Sequence, residues 1–348
     1  MDKRLLYITS SRDADTFLTS EEYRTKNPFG HGQILFHLER LGWNIKRLAI
    51  YESWNPWILS RYIQKYQPSL IFTNGSTALS PVLARRWACS WRGPIILGWD
   101  DFYKVIWDTN FGWLAGQFMR WFEPCIVRGS DYIVTISYYN QKRADALGKR
   151  TWFIPNGCDE PVYDSRRCTT CLSGVMNLVY CGDQGRYKRT GDIVRAMAHV
   201  PKDIRLYLIG YPNPKLQKYA SENVIFLGRL SENDKWAVMS QADVLVCTAD
   251  TDCNAKFHEY LRMGKPILGY DGIANHLFQN RRNALLTRDY PTAIQELYWS
   301  PELRATLAAN AAKDIPVYTW REIAEQYDWA FTEICELYSN ELKKREVK

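Results

Sequence analysis

Short apolar runs alternate along the chain with longer segments in which apolar residues recur every three or four positions. Leu5–Thr9, Ile45–Ile50, Leu70–Thr73, Ile95–Gly98 and Tyr132–Ile136 read as strands, and the rhythm restarts with Leu178–Cys181, Leu206–Ile209, Val224–Leu227, Val244–Cys247 and Ile267–Gly269. Strands separated by helices build parallel sheets, so the pattern predicts an α/β chain with two doubly wound, Rossmann-like domains in series. Pro155–Pro161 is rich in turn formers and Asp164–Ser173 lacks apolar periodicity. This places an N-terminal domain at 1–163, a linker at 164–174 and a second domain at 175–318. Trp320, Ile323, Ala324, Tyr327, Phe331, Ile334 and Leu337 recur at helical spacing, so 319–348 is expected to form one long amphipathic helix. Two such domains face ligands with the carboxyl ends of their strands, and chemistry is expected in the cleft between them.

The densest local signal is the run from Asn254 to Ile267. Asp252 or Asn254 can cap a helix that Gly264 ends and Pro266 prevents from resuming. Lys256 and Glu259 then share a face. The free N–H groups of the first turn suit phosphate or hydroxyl oxygens, and a carboxylate one turn on can accept from a diol, as a sugar nucleotide requires. The same run also fits an ordinary amphipathic helix with a surface ion pair.

Composition narrows the class. The 348 residues suit two domains, and 46% apolar and 24% charged residues are those of a folding chain. No apolar run approaches the roughly 18 residues of a membrane span and no secretory signal is legible, so a cytoplasmic protein is expected, with peripheral contact at the inner membrane face open. The charge of +7 is moderate and no lysine or arginine block marks a nucleic-acid arm. Ten of the fourteen tryptophans fall in the first 152 residues, several beside arginine. That pairing suits a membrane interface, carbohydrate stacking or partner contact, while buried core tryptophans are the plainer account. Cys158, Cys168, Cys171 and Cys181 cluster, but the second close pair of a zinc site is missing, so reduced thiols are expected and metal or disulfide pairing stays open.

Several segments together resemble retaining GT-B glycosyltransferases of the glycosyltransferase family 4 type. Gly30-His31-Gly32 and the following helix resemble the family's first loop, and Asp131–Ser137 with Phe153–Asp159 resemble the segment closing its first domain. Val179–Gly182 followed by Lys188 resembles the first strand and loop of the donor domain, where a lysine six positions after the glycine binds the diphosphate. Asp183 stands where arginine usually follows the glycine, with Arg186 and Arg189 nearby as substitutes. Val224–Gly228 with Arg229 resembles the nucleobase loop, and Ala242–Val246 the strand before the donor-sugar loop.

Glu259 matches the second glutamate of the family's pair, which accepts the ribose hydroxyls. The first would fall at Thr251, between Asp250 and Asp252; some branches lack it and keep a lysine three positions before the second glutamate, as Lys256 stands here. Pro94–Asp101 resembles the acceptor-side strand and loop, with Trp99 in the place of a common histidine. Asp100 or Asp101 would orient the acceptor hydroxyl or the donor sugar, or else simply cap the next segment. His31 could contact an acceptor or lie on the surface.

The resemblance implies an acceptor-binding first domain, a donor-binding second domain and a C-terminal helix returning to the first. It implies transfer of a hexose, with retention, from a UDP- or GDP-sugar used as co-substrate to an acceptor hydroxyl. The departing diphosphate would take the acceptor proton, Lys188 would stabilise its charge, and no tightly bound cofactor or metal would be needed. The acceptor could be a glycan, a lipid-linked glycan, a protein or a small molecule, with modified DNA bases allowed by the basic charge. A sugar-nucleotide epimerase of the same fold and a non-catalytic nucleotide-sugar-binding subunit are the alternatives, the latter motivated by Asp183 and Thr251.

Overall fold

The computed structural model describes residues 2–9, 21–22, 30–49, 54–87, 90–273 and 275–346; the expected strand end at Ile50 and the last two residues of the basic tail lie outside them. The chain divides into two compact units, Met1–Gly157 with Tyr318–Lys348, and Cys158–Val317. Both are three-layer α/β structures with one six-stranded parallel sheet.

In the first unit the strands are β1 (Arg4–Thr9), β2 (Asn44–Ala49), β3 (Leu70–Asn74), β4 (Ile95–Gly98), β5 (Tyr132–Thr135) and β6 (Thr151–Phe153), in the order β2-β1-β3-β4-β5-β6. Successive strand residues point to opposite faces. Leu5 and Tyr7 therefore enter one core with Phe72 and Val134, while Leu6 and Ile8 enter another with Leu48 and Ile71. Both faces are covered, which is why the strands read as unbroken apolar runs rather than alternating ones.

Helix α1 (His31–Arg40) and the C-terminal helix share the first of these cores. Helices α2 (Pro56–Tyr66) and α3 (Leu79–Trp87) supply the second, through Leu59, Ile63 and Ala84. Next come α4 (Tyr103–Phe111), α5 (Trp113–Gly129) and α6 (Tyr138–Ala146). Asn55 caps α2, accepting from Trp57 N at 2.9 Å, and Pro56 occupies the first turn, where its missing N–H costs nothing.

The second unit holds β7 (Met176–Cys181), β8 (Ile204–Ile209), β9 (Val224–Gly228), β10 (Val244–Cys247), β11 (Ile267–Tyr270) and β12 (Leu285–Thr287). Their order is β12-β11-β10-β7-β8-β9, so the direction of winding reverses between β7 and β10. Its helices are α7 (Thr190–Ala196), α8 (Pro214–Gln217), α9 (Glu232–Gln241), α10 (Ala255–Arg262), α11 (Tyr290–Trp299) and α12 (Pro301–Asp314).

The final helix, α13 (Trp320–Glu346), belongs to the first unit. Tyr327, Phe331 and Ile334 bury completely against the sheet beside Phe72 and Ile96. Polar contacts fix its register: Asp328 accepts from Lys3 Nζ and Trp43 Nε1, both at 2.7 Å, and Glu333 accepts from Trp152 Nε1 at 2.9 Å. The helix thus reaches both ends of the first unit's sequence.

One boundary differs from the sequence expectation. Residues 158–174, divided there between the first domain and a linker, belong to the second unit. Asp164 N donates to Asn233 Oδ1 at 2.7 Å, Leu172 N to Gln241 Oε1 at 3.2 Å and Ser173 N to Tyr207 OH at 2.9 Å. The missing periodicity marks a strap whose backbone is held by side chains of α9 and β8, and such anchoring leaves no periodic trace. Cys158, Cys168, Cys171 and Cys181 are free thiols in this unit, two buried and two not.

Candidate functional site

Each unit places a polar cluster at the carboxyl ends of its strands. In the second unit the cluster surrounds the reversal point between β7 and β10, where open α/β sheets bind ligands. Gly182 ends β7 with φ 151°, and Gly210 ends β8 with φ 133°. A Cβ on Gly210 would lie 2.1 Å from the carbonyl oxygen of Gly182, so the two strand ends meet backbone to backbone only because Gly210 carries no side chain.

The loop after Gly182 is tied down at several points. Asp183 accepts from Gly185 N at 3.0 Å, Arg186–Lys188 form a 3₁₀ turn, and Thr248 Oγ1 donates to the Lys188 carbonyl. That last bond joins the loop to the residue following β10. The Lys188 ammonium lies 4.7 Å from the Tyr187 ring centroid and forms no ion pair among the described residues. Arg189, at φ 56°, points elsewhere: it pairs with Asp192 at 2.8 Å and lies 4.0 Å over the Tyr270 ring, lining a surface pocket with Arg195 and Arg288. Arg186 is exposed within the loop.

Helix α10 begins where the residue pattern places it. Asn254, rather than Asp252, is the cap, accepting from Lys256 N at 3.1 Å; Asp252 is buried. Gly264 ends the helix region at φ 63°. Lys256 Nζ lies 2.8 and 2.9 Å from the two carboxylate oxygens of Glu259. Burial opposes the charge on Lys256, but Glu259 and neighbouring groups outweigh it and raise its pKa.

A second ammonium, unanticipated from the sequence, completes the group. Lys235 Nζ of α9 lies 3.5 Å from Glu259 Oε1 and 2.7 Å from Glu232 Oε2, with the Lys235 and Glu259 side chains only 6% and 5% exposed. Buried charges survive only when paired. The local spacing of Glu232 and Lys235 announces an ordinary surface pair on one helix, and nothing in it tells that the lysine reaches a carboxylate on another.

Gly228 closes β9 at φ 71°, and Arg229 beyond it donates to Tyr211 OH at 2.9 Å. These residues stand two strands from β7, at the sheet edge.

In the first unit, Gly30 has φ 59° and provides no side-chain cap to α1, so His31 and Gly32 open the helix behind a bare turn. His31 packs between the rings of Tyr7 and Phe72, with centroids at 5.5 and 5.4 Å. Its Nδ1 lies 3.3 Å from Asn74 Nδ2 and its Nε2 3.5 Å from Asp100 Oδ2. With Asn74 donating, the ring proton sits on Nε2, facing Asp100. Burial lowers the His31 pKa to about 4, while burial and the neighbouring Asp101 raise that of Asp100 to about 8. At neutral pH the pair is therefore a neutral imidazole beside a largely protonated carboxyl group. Asp100 Oδ1 and Tyr327 OH are buried there without a hydrogen-bond partner among the described residues.

Trp99 requires correction as an acceptor-binding residue. It is 1% exposed, donates through Nε1 to Glu123 Oε1 at 2.8 Å and carries the Arg143 guanidinium 4.5 Å over its ring. Strand alternation turns its side chain inward. Asp101 is exposed, and α4 starts from Phe102 without a side-chain cap, so neither aspartate serves as its cap. Among the described residues no cluster of His, Cys, Asp and Glu suited to a metal ion is present, and no helix is long and apolar enough to cross a membrane.

No protein-family model matches the sequence, and no curated protein matches it in sequence; the likeness found is one of structure. The sucrose-phosphate synthase tll1590 from Thermosynechococcus elongatus superposes with a TM-score of 0.75 at 16% identity, covering 95% of this chain and 99% of that one. HepE of Anabaena in complex with UDP and glucose gives 0.64 at 16% identity, over 94% and 99%. The lipopolysaccharide outer core galactosyltransferase WaaB gives 0.58 at 14%, over 99% of each chain. A Listeria monocytogenes protein described as a UDP-N-acetylglucosamine 2-epimerase shares the architecture at 0.54 and 11%, over 94% and 95%. The two parallel sheets of this chain and their order are those of the GT-B fold.

Proposed function

We propose that the protein is a glycosyltransferase that moves a hexose from a nucleoside-diphosphate sugar to an acceptor hydroxyl, with retention at the anomeric carbon. The observation that carries this reading is the joining of the Lys188 loop, through Thr248, to the reversal point that α10 follows with Lys256 and Glu259. In this reading Glu259 accepts from the ribose hydroxyls, the N–H groups opening α10 and the Lys188 ammonium face the diphosphate, and Gly228 with Arg229 borders the base. Asp252 and Asn254 stand at the sugar end.

Charge develops on the diphosphate as the bond from the anomeric carbon to its oxygen breaks, and a fixed cation there stabilises it without proton transfer. The acceptor proton passes to the departing phosphate oxygen as the new glycosidic bond forms. UDP is favoured over GDP as the donor nucleotide, since HepE was solved with UDP and glucose. The first unit receives the acceptor, with Gly30, His31, Gly32, Asp100 and Asp101 at its strand ends and Asp100 positioning the hydroxyl. Its exposed tryptophans favour an amphiphilic acceptor over DNA.

Isothermal titration with UDP, GDP and their sugars tests the reading. UDP-sugar binding with slow hydrolysis, both lost in Lys188→Ala and Glu259→Ala and neither sensitive to EDTA, is the expected result. Absence of any nucleotide binding would sink it, and interconversion of sugar nucleotides without acceptor would replace it with the epimerase.

A further inference from the structure

Helices α4 and α5 form a hairpin that turns at Gly112, φ 91°, and closes tightly at Gly116, where a Cβ would meet the Asp108 carboxylate. Its inner side is ordinary core: Met119, Ile126 and Val127 are buried. Its outer side is also apolar. Leu114, Phe118, Trp121 and Cys125 follow one another at i, i+4, i+7 and i+11 on α5, Trp121 being 82% and Leu114 76% exposed. Phe111 and Trp113 flank the turn and are equally open to solvent. Phe118 stacks on Phe122 at 5.4 Å and meets Trp107 at 6.4 Å, so the stripe is a preformed aromatic surface rather than isolated side chains.

The exposed charges of the turn and α5 have one sign, while on α4 the half-buried Asp108 is paired with Lys104. Arg120 and Arg128 are the exposed charged residues of Phe111–Gly129; its single carboxylate, Glu123, is buried against Trp99 and Arg143. Gly129 packs on Val82 of α3, and at the end of that helix Arg86 and Trp87 are exposed as well. A soluble face of this size ordinarily carries both signs of charge and few large apolar groups. Tryptophan, phenylalanine and leucine at the tip, with arginine at the rim and no exposed acid from Phe111 to Gly129, fit the boundary between acyl chains and anionic headgroups.

We infer that this hairpin docks the protein on a membrane bearing anionic lipid, with Leu114, Phe118 and Trp121 entering the acyl boundary and Arg120 and Arg128 facing the headgroup phosphates. The inference rests on the amphiphilic-acceptor part of the proposed function and supplies the surface from which such an acceptor would be presented.

The test is co-sedimentation of the full chain with vesicles of phosphatidylcholine alone and of phosphatidylcholine with phosphatidylglycerol, alongside UDP titration and sedimentation velocity. Binding to the anionic vesicles, weakened by salt and by Arg120→Glu/Arg128→Glu, is expected. Phe118→Asp/Trp121→Asp should weaken it about tenfold or more with UDP binding and circular dichroism unchanged. Failure to bind either vesicle overturns the inference, as does equal binding by the Phe118→Asp/Trp121→Asp variant. Binding that ignores lipid charge overturns the anionic assignment, and a dimer dissociated by the same variant gives the face to a second copy of the chain. Vesicle binding without UDP binding would leave the docking surface standing and remove the transferase reading.

Discussion

The Glu259 carboxylate of α10 receives the Lys256 ammonium on both oxygens, at 2.8 and 2.9 Å, within a single helical turn. The same carboxylate has a second cation, Lys235, from a different helix. The proposed ribose acceptor is thus fixed before any ligand arrives, and a group held in place loses less freedom on binding. Lys235→Ala is expected to lower stability by about 1 kcal/mol, less than the loss of a sole buried partner because Lys256 still pairs with Glu259, and to weaken UDP binding by loosening that carboxylate. Urea denaturation and titration would check both; an unchanged midpoint would show that the pair does not hold Glu259.

The His31–Asp100 pair makes a prediction about pH. Asp100 binds a proton in the folded state up to about pH 8 but only up to 3.8 when unfolded, so its contribution falls as pH rises through that window. His31 acts oppositely, staying neutral when folded down to about 4 while the unfolded imidazole protonates below 6.5. The two offset each other below pH 6.5, and above it Asp100 acts alone. Stability should therefore decline between pH 6.5 and 8, by about 1.4 kcal/mol per unit at most, and Asp100→Asn should flatten the decline. Melting temperatures across that range would decide it.

Gly210→Ala tests the meeting of β7 and β8. The new Cβ would lie 2.1 Å from the Gly182 carbonyl at a backbone angle alanine rarely adopts. A loss on the order of 2–4 kcal/mol is expected, with nucleotide affinity reduced because the Lys188 loop starts at Gly182. Gly228→Ala, at φ 71° but with open space around it, should cost less, about 1 kcal/mol.

Trp99→Phe separates a core role from an acceptor role. It removes the donor to buried Glu123 while keeping an aromatic ring in place. Stability should fall by about 1–3 kcal/mol while the KM for acceptor stays unchanged. A raised KM with unchanged melting would instead return Trp99 to the acceptor site.

The parts of the fold legible in the sequence are those in which one physical rule acts alone. Buried parallel strands must be apolar on both faces, so ten of them stand out as runs such as Val244–Cys247. Residues Thr151–Phe153 and Leu285–Thr287 also form strands, but three residues at a sheet edge are too few to show a period. Asn254, Gly264 and Pro266 specify a helix locally, and the helix is there. Lys235 is opaque because its meaning depends on Glu259, more than twenty positions away. Trp99 is misplaced because a strand-end residue can face inward or outward, and only the packing of Glu123 and Arg143 around it decides.

The return of α13 to the first sheet has a consequence for synthesis. Residues 158–317 form one uninterrupted stretch and can close their core as soon as they leave the ribosome. The unit made first must wait, since Tyr327, Phe331 and Ile334, which cover Phe72, are translated only after the whole of the second unit. Until then one face of its nascent sheet is covered only in part, by α1, and a transcript cut short before Trp320 would yield a chain whose later half is folded and whose earlier half is a substrate for chaperones and proteases.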